Sequence, residues 1–374
     1  MPNTASNDVE PVVTSDRPTL LGLIRTLGRD QFSSRGLGRA ADLFVAEFTR
    51  DAEGVRPFLT VVLRTQGKRP EALKDALLCL AGQSNEDFEV IVAAHDATVE
   101  DFLQVNEIIA AQPASFKSRI STLEVRGGRR SKPLNVAVEQ ARGRYVSFFD
   151  DDDLLFGHWV ESFAEMAERE PGKLVRAVVA SQRASIEMWP QDQTGFRHMN
   201  WPDAEYPAHF DQFAHLQMNF SPFMGWAFPR EIFDVLGLRF DEELYVCEDW
   251  DLILRASLLC GVVQAPEMTA IYRRWEGAES SYTTHDDTQW QASQARVIAK
   301  LNEQAVIMPA GTVGLVRQLL ADRVELGRLR AELHALLTSR SWRYAYPIRE
   351  AMRVAHFARR AVYGVARRVK RLSR

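Results

Sequence analysis

A chain of 374 residues, 46% hydrophobic and 26% charged, can bury the core of one large domain with additions, or of two. A net charge of −4 argues against a nucleic-acid partner, and the three cysteines and eight histidines show no metal-ligand spacing. No apolar run approaches the roughly 20 residues that a membrane-spanning helix needs.

Residues 1–16 are polar and acidic, and read as a disordered lead rather than a secretory signal. Residues 17–56 carry apolar side chains at helical spacing, in LLGLIRTLG and GRAADLFVAEFTRDAEG, and are expected to form an N-terminal helical extension. The pattern changes at Pro57. FLTVVLRT (58–65) is a β-branched run that predicts a buried strand. RPEALKDALLCLAGQS follows as a helix, with Pro70 near its start and Gly82 near its end. FEVIVAAHD (88–96) is the second strand, VEDFLQVNEIIAAQ a helix and ISTLEV (120–125) the third strand. KPLNVAVEQARG is a helix closing on Gly143, and YVSFF (145–149) is the fourth strand. This alternation predicts parallel βαβ units with helices on both faces of a sheet. Ligands of such sheets sit beyond the carboxyl ends of the strands, where Thr65, Asp96 and Asp150 to Asp153 lie.

Residues 157–170 are expected to be helical, and LVRAVVASQRASIEMW to form one or two strands. Residues 190–222 have no clear period and suit a functional loop. CEDWDLILRASLLCG predicts a helix with acids in its first turn and Gly261 past its end. VVQAPEMTAIYRRW reads as an edge strand that closes a domain over 57–286. Residues 287–374 are expected to be helical. Within them LVRQLLADRVELGRLRAELHALL has the three- and four-residue steps of a helix that pairs with another, so a homo-oligomer through this region is anticipated. From Arg340 the chain is rich in arginine with interleaved aromatics, the composition of an amphipathic helix on an anionic membrane surface or of a solvated basic helix.

Two acidic clusters could carry chemistry. Four consecutive carboxylates at Asp150 to Asp153, between two apolar runs, repel one another and resist leaving water. A cation would remove the difficulty. If the strand continues briefly, Asp150 and Asp152 point to one side and could hold Mg²⁺ or Mn²⁺, although a solvated acidic turn is the plainer alternative. Glu248 and Asp249 form the second cluster. They suit a helix N-terminus, and Trp250 could desolvate Asp249 enough to make it a general base.

VVLRTQGKRPEALKDALLCLAGQS, FEVIVAAHDAT, KPLNVAVEQARGRYVSFFDDDDLL, GLRFDEEL and CEDWDLILRAS, in this order and spacing, resemble the family 2 glycosyltransferases of the GT-A fold over about 58–282. The resemblance implies an α/β fold, a Rossmann-like and mostly parallel sheet flanked by helices, with N- and C-terminal helical extensions around it. It implies that Thr65 touches the nucleotide base, that Asp150 and Asp151 contact the donor, that Asp150 and Asp152 hold the metal, and that Asp249 deprotonates the acceptor. Glu248, Gly225 and Trp226 fall on the acceptor side, Trp226 either stacking on a sugar or packing in the core. Asp96 and the basic residues Arg129, Arg130 and Lys132 are further donor-binding candidates, the three basic residues being equally consistent with a solvated loop. The sequence departs from the family at AAHDAT, where Ala94 and His95 stand in place of acids, at Arg64-Thr65-Gln66-Gly67 after the first strand, and at Arg273 and Arg274.

The implied activity is inverting, metal-dependent transfer of a sugar from a nucleotide-diphosphate donor to a glycan or lipid-linked acceptor in cell-surface polysaccharide synthesis. The implied location is cytoplasmic, peripheral on the inner face of the membrane. The low cysteine usage suits a reducing cytoplasm. A sugar-phosphate nucleotidyltransferase would want a glycine-rich phosphate loop, for which RTQGKRP is a poor match. A non-catalytic nucleotide- or glycan-binding scaffold of the same fold is the other alternative.

Overall fold

The computed structural model describes residues 56–189, 193–276, 285–303 and 311–344. The lead, the N-terminal extension up to residue 55 and the basic tail from residue 345 lie outside the described residues. By internal contacts the chain divides into two units, Met1–Pro309 and Ala310–Arg374.

The first unit is built on one nine-stranded sheet. Its parallel part has β1 (Leu59–Thr65) between β2 (Phe88–His95) and β4 (Tyr145–Asp150), with β3 (Ile120–Val125) outside β2. Helices α1 (Pro70–Ala81), α2 (Val99–Ala110), the short α3 (Ala114–Lys117) and α4 (Lys132–Gln140) make the crossovers. Val61 and Leu63 pack into one apolar cluster, while Val62 between them packs into a second. Alternate side chains of β1 thus face opposite sides, and helices cover both, which is why these strands read as continuous apolar runs. Helix α4 ends at Gln140 rather than at Gly143. Gly143 instead abuts β1, where a Cβ would lie 2.3 Å from the Thr60 amide nitrogen.

Beyond β4 the sheet becomes mixed. β5 (Leu154–Leu155) and α5 (Trp159–Arg169) lead into β6 (Leu174–Trp189), a single long strand, followed by β7 (Gln193–His198) and β8 (Trp226–Pro229). β8 pairs antiparallel with both β4 and β6, and β6 pairs parallel with β9 (Val262–Glu276). β9 is not an open edge: β5 covers it at Ala270 and Ile271. The stretch expected to be irregular contains β7 and helix α6 (Gln212–Gln217). Helices α7 (Glu231–Asp234) and α8 (Glu248–Cys260) pass under the sheet's second apolar cluster. Helix α9 (Asp287–Asn302) belongs to this unit, with Val297 packed on Leu244, Trp250 and Leu254. Arg296 and Lys300 of α9 pair with Asp241 at 2.7 and 2.8 Å.

The described part of the second unit is α10 (Thr312–Thr338) and α11 (Arg340–Tyr344). No described helix is long and apolar enough to cross a membrane.

Candidate active site

Parallel pairing sets Arg64, near the end of β1, beside Asp150, at the end of β4. The Arg64 guanidinium forks onto the carboxylate, Nε to Oδ1 and Nη2 to Oδ2, both at 2.8 Å. Its third nitrogen, Nη1, donates to Glu248 Oε1 at 3.1 Å. Burial would raise Asp150, but the charge and hydrogen bonds of Arg64 hold its carboxyl below the ordinary value. The next aspartate is wholly buried. Asp151 accepts from the Thr65 hydroxyl at 2.5 Å and pairs with Arg69 at 2.7 Å. Burial nonetheless pushes Asp151 up to about 6 against the pull of Arg69. The other arm of Arg69 holds Asp152. Asp153 accepts the backbone N–H of Arg273 at 2.8 Å, and burial beside Asp152 pushes it well above the ordinary range. The first cationic partners of the aspartate run are therefore arginines, supplied by β1, the loop after it and β9.

The second cluster forms where the chain turns into α8. Cys247 precedes the helix in the left-handed region, with φ at 67°. Glu248 is buried between Arg64 and Arg130, whose Nε lies 2.6 Å from Oε1. Among the described residues Asp249 forms no ion pair, although the charge of Arg130 pulls against its rise. It accepts from the Asn219 side-chain amide at 2.8 Å and from the backbone N–H of Trp250 at 2.7 Å. The Trp250 indole is buried beneath it and donates to the His215 carbonyl at 2.7 Å. Burial, and then the charge of Glu248, push Asp249 up to about 6. Such a carboxylate is largely ionised at neutral pH yet basic enough to accept a proton.

Both clusters line one cleft of about 760 Å³, which Lys68, Arg130, Arg273 and Arg274 also line. Cationic groups thus match the carboxylates, so the cleft can admit a phosphorylated ligand without net repulsion. His95, Asn219 and Phe223 complete much of its wall.

The remaining candidates fall elsewhere. Asp96 has φ at 50° and accepts the Gly127 N–H at 2.7 Å, pinning the loop after β3 outside the cleft. Arg129 lies 3.8 Å over the Tyr245 ring and donates to the Glu243 carbonyl, and Lys132 donates to the Arg126 carbonyl at 2.7 Å. Arg130, between them, is the basic residue that reaches the cleft. Trp226 is fully buried, packed edge-on against Phe210 at 5.3 Å, and so cannot stack on a sugar. Gly225 permits the close approach of its turn to β6: a Cβ there would lie 2.8 Å from Val179 Cγ2.

Residues 60–237 match the model of the family described as glycosyl transferase family 2. Over these residues the chain is similar to glycosyl transferase family 2. A Bacillus subtilis (strain 168) protein named uncharacterized glycosyltransferase EpsJ is 23% identical over 196 residues, 52% of this chain and 54% of its own length. The chain thus spans about half the length of that curated relative. Among solved structures, S. aureus TarS 1–349 in complex with UDP-GlcNAc superposes with a TM-score of 0.49 at 18% identity, covering 64% of this chain and 65% of that one. The mannosyltransferase PcManGT from Pyrobaculum calidifontis, in complex with GDP-Man and Mn²⁺, superposes with a TM-score of 0.51 at 15% identity, covering 90% and 92%. The likeness to PcManGT shows the fold: the first unit has the GT-A architecture.

The site contains partners that the motifs alone do not disclose. Arg64, Arg69 and Asn219 touch the key carboxylates. Aligning the charged ends of β1 and β4 as register neighbours could have exposed Arg64, whereas Asn219 carries no local signal. The donor set can be tested for the divalent cation that the family implies. Both oxygens of Asp150 are taken up in the Arg64 fork. Asp152 has one oxygen on Arg69, and its side chain is 17% exposed in the cleft. A hard cation fits at Asp152, a single carboxylate that shares the ion with ligand phosphates.

Proposed function

We propose that the family 2 domain transfers a sugar from a nucleoside-diphosphate donor to a hydroxyl of a glycan or lipid-linked acceptor, with inversion, and that Asp249 is the base. The observation that carries this reading is a desolvated Asp249, in no ion pair among the described residues, in the same cleft as the aspartate tract. The bond order of events is simple. The acceptor oxygen attacks the anomeric carbon, its proton passes to Asp249, and the bond to the diphosphate breaks with the electron pair leaving on phosphate oxygen. Attack opposite the leaving group inverts the centre in one displacement. Asn219 and the Trp250 N–H fix the carboxylate so that one lone pair meets the hydroxyl. Arg69 and Lys68, at the mouth of the aspartate tract, are placed to receive the diphosphate, Arg69 exchanging Asp152 for phosphate oxygens. Mg²⁺ or Mn²⁺ bound at Asp152 and the diphosphate would supply Lewis-acid stabilisation of the leaving group. GDP-Man and Mn²⁺ bound to PcManGT, on the same fold, support this assignment. Thr65 acts through Asp151, and Asp150 acts with Arg64 as part of the donor-site floor.

The test is Asp249→Asn, assayed for transfer and for donor hydrolysis, with calorimetry using a panel of nucleoside diphosphates with and without Mn²⁺. Loss of both activities with nucleotide binding retained supports the base. Undiminished turnover in the variant removes it, and binding without turnover in the unaltered chain favours the non-catalytic scaffold.

A further inference from the structure

α10 runs for 27 residues, none of them buried. A helix this long and this apolar does not normally leave its leucines in water. Leu315, Leu319, Leu326, Leu329, Leu333 and Leu336 are exposed by 37% to 56%. They recur at alternating steps of three and four, interrupted only at Asp322, so that positions 319, 326 and 333 read as a and positions 315, 322, 329 and 336 as d of successive heptads. The flanking charges follow the same frame. Arg323 and Arg330 occupy e, whereas Glu325 and Glu332 occupy g.

The sign pattern selects both the partner and its direction. In a parallel pair, each g residue faces the e residue of the next heptad on the other helix. Glu325 then meets Arg330 of the second copy, once on each side of the seam, and Gln318 meets Arg323. An antiparallel pair would set g against g and e against e, which here means glutamate on glutamate and arginine on arginine. Gly314 and Gly327 lie at c and b, away from the seam, with nothing within 4 Å of an added Cβ. Asp322 is the one charged d layer between the Leu315 and Leu329 layers. Gln318, one turn earlier, donates to its Oδ1 at 2.8 Å. A charged layer weakens such a seam but penalises slipped registers.

We propose that Thr312–Thr338 forms a parallel, in-register two-stranded coiled coil with the same helix of a second copy of this chain. The pairing buries the leucine seam, sets Glu325, which pairs with Arg328 of its own helix, within reach of Arg330 of the second copy as well, and brings both chains into the coil at its Thr312 end. It is independent of the activity assigned to the first unit.

Sedimentation velocity of the full chain over a dilution series tests the pairing. A mass of two chains is expected, falling to one chain in the Leu326→Asp/Leu329→Asp variant, with circular dichroism and nucleotide binding confirming that the first unit stays folded. Glu325→Arg alone should weaken the dimer by about tenfold, and adding Arg330→Glu should restore it. Leu336→Cys should form a disulfide between two chains on oxidation, which an antiparallel pair would not permit. A single-chain mass at every concentration overturns the proposal. So does a dimer that survives both aspartate substitutions, an absent Leu336→Cys cross-link, or a monomer whose seam leucines instead bind phosphatidylserine vesicles.

Discussion

Asp150, at the tip of β4, and Asp249, in the acid pair that opens α8, line one cleft, yet their carboxyls are shifted in opposite directions. Asp150 is gripped by the Arg64 fork and stays below the ordinary carboxylate range. Asp249, comparably enclosed, accepts from an amide and a backbone N–H rather than a guanidinium fork, and rises to about 6. The difference shows that burial does not by itself decide a carboxylate's role; the partner it is buried with does. Arg64 joins the two regions, since its third nitrogen reaches Glu248, the neighbour that helps to raise Asp249.

The largest expected break in this contrast comes at the base itself. Asp249→Asn should lower kcat by about 10²- to 10⁴-fold, the range for losing general-base catalysis, with the donor Kd little changed. Next is Arg64→Ala, which strips the fork from Asp150 and leaves Glu248 with Arg130 alone. It should cost about 3 kcal/mol of unfolding free energy in urea titrations, as removal of one partner of a buried pair does. If stability is retained, the fork does not hold the two clusters. Gly225→Ala should cost about 1–3 kcal/mol by overpacking against Val179, read by the same titration.

Smaller effects sharpen the comparison through pH. A base must be ionised, so kcat/KM should rise with pH through about 6, the value set for Asp249. Asn219 hydrogen-bonds the charged form, so Asn219→Ala should move this limb to higher pH and slow the reaction at neutrality. Glu248→Gln removes a repelling charge and leaves Arg64 and Arg130 nearby, so it should move the limb to lower pH. Shifts in the same direction for both variants would contradict the assignment. The smallest effect belongs to Arg129→Ala. Arg129 sits on Tyr245 outside the cleft, and the donor Kd should be unchanged.

Much of the framework was legible residue by residue. The strands at 58–65, 88–96, 120–125 and 145–149 are runs of apolar residues because parallel strands are covered on both faces. They appear close to the expected bounds, as does the helix that opens on Glu248. An aromatic side chain suits both stacking and packing, so the sequence alone does not choose between them for Trp226. Its place on β8, an interior strand between β4 and β6, settles it as core. Arg129, Arg130 and Lys132 looked equivalent in a basic loop, and only the fold of that loop turned Arg130 alone into the cleft.

By itself the sequence determined the alternation of strands and helices, the delivery of carboxylates to a strand end and a helix start, and the heptad frame of α10. These follow from periodicity and from neighbours a few residues apart. Tertiary structure alone decided which charge meets which. Arg64 and Asp150 are 86 positions apart and meet because parallel register aligns their strand ends, while Asn219 finds Asp249 across 30 positions from a segment without period. Coulomb and hydrogen-bond energies depend on separations of a few ångströms, and those separations are set only when distant segments pack.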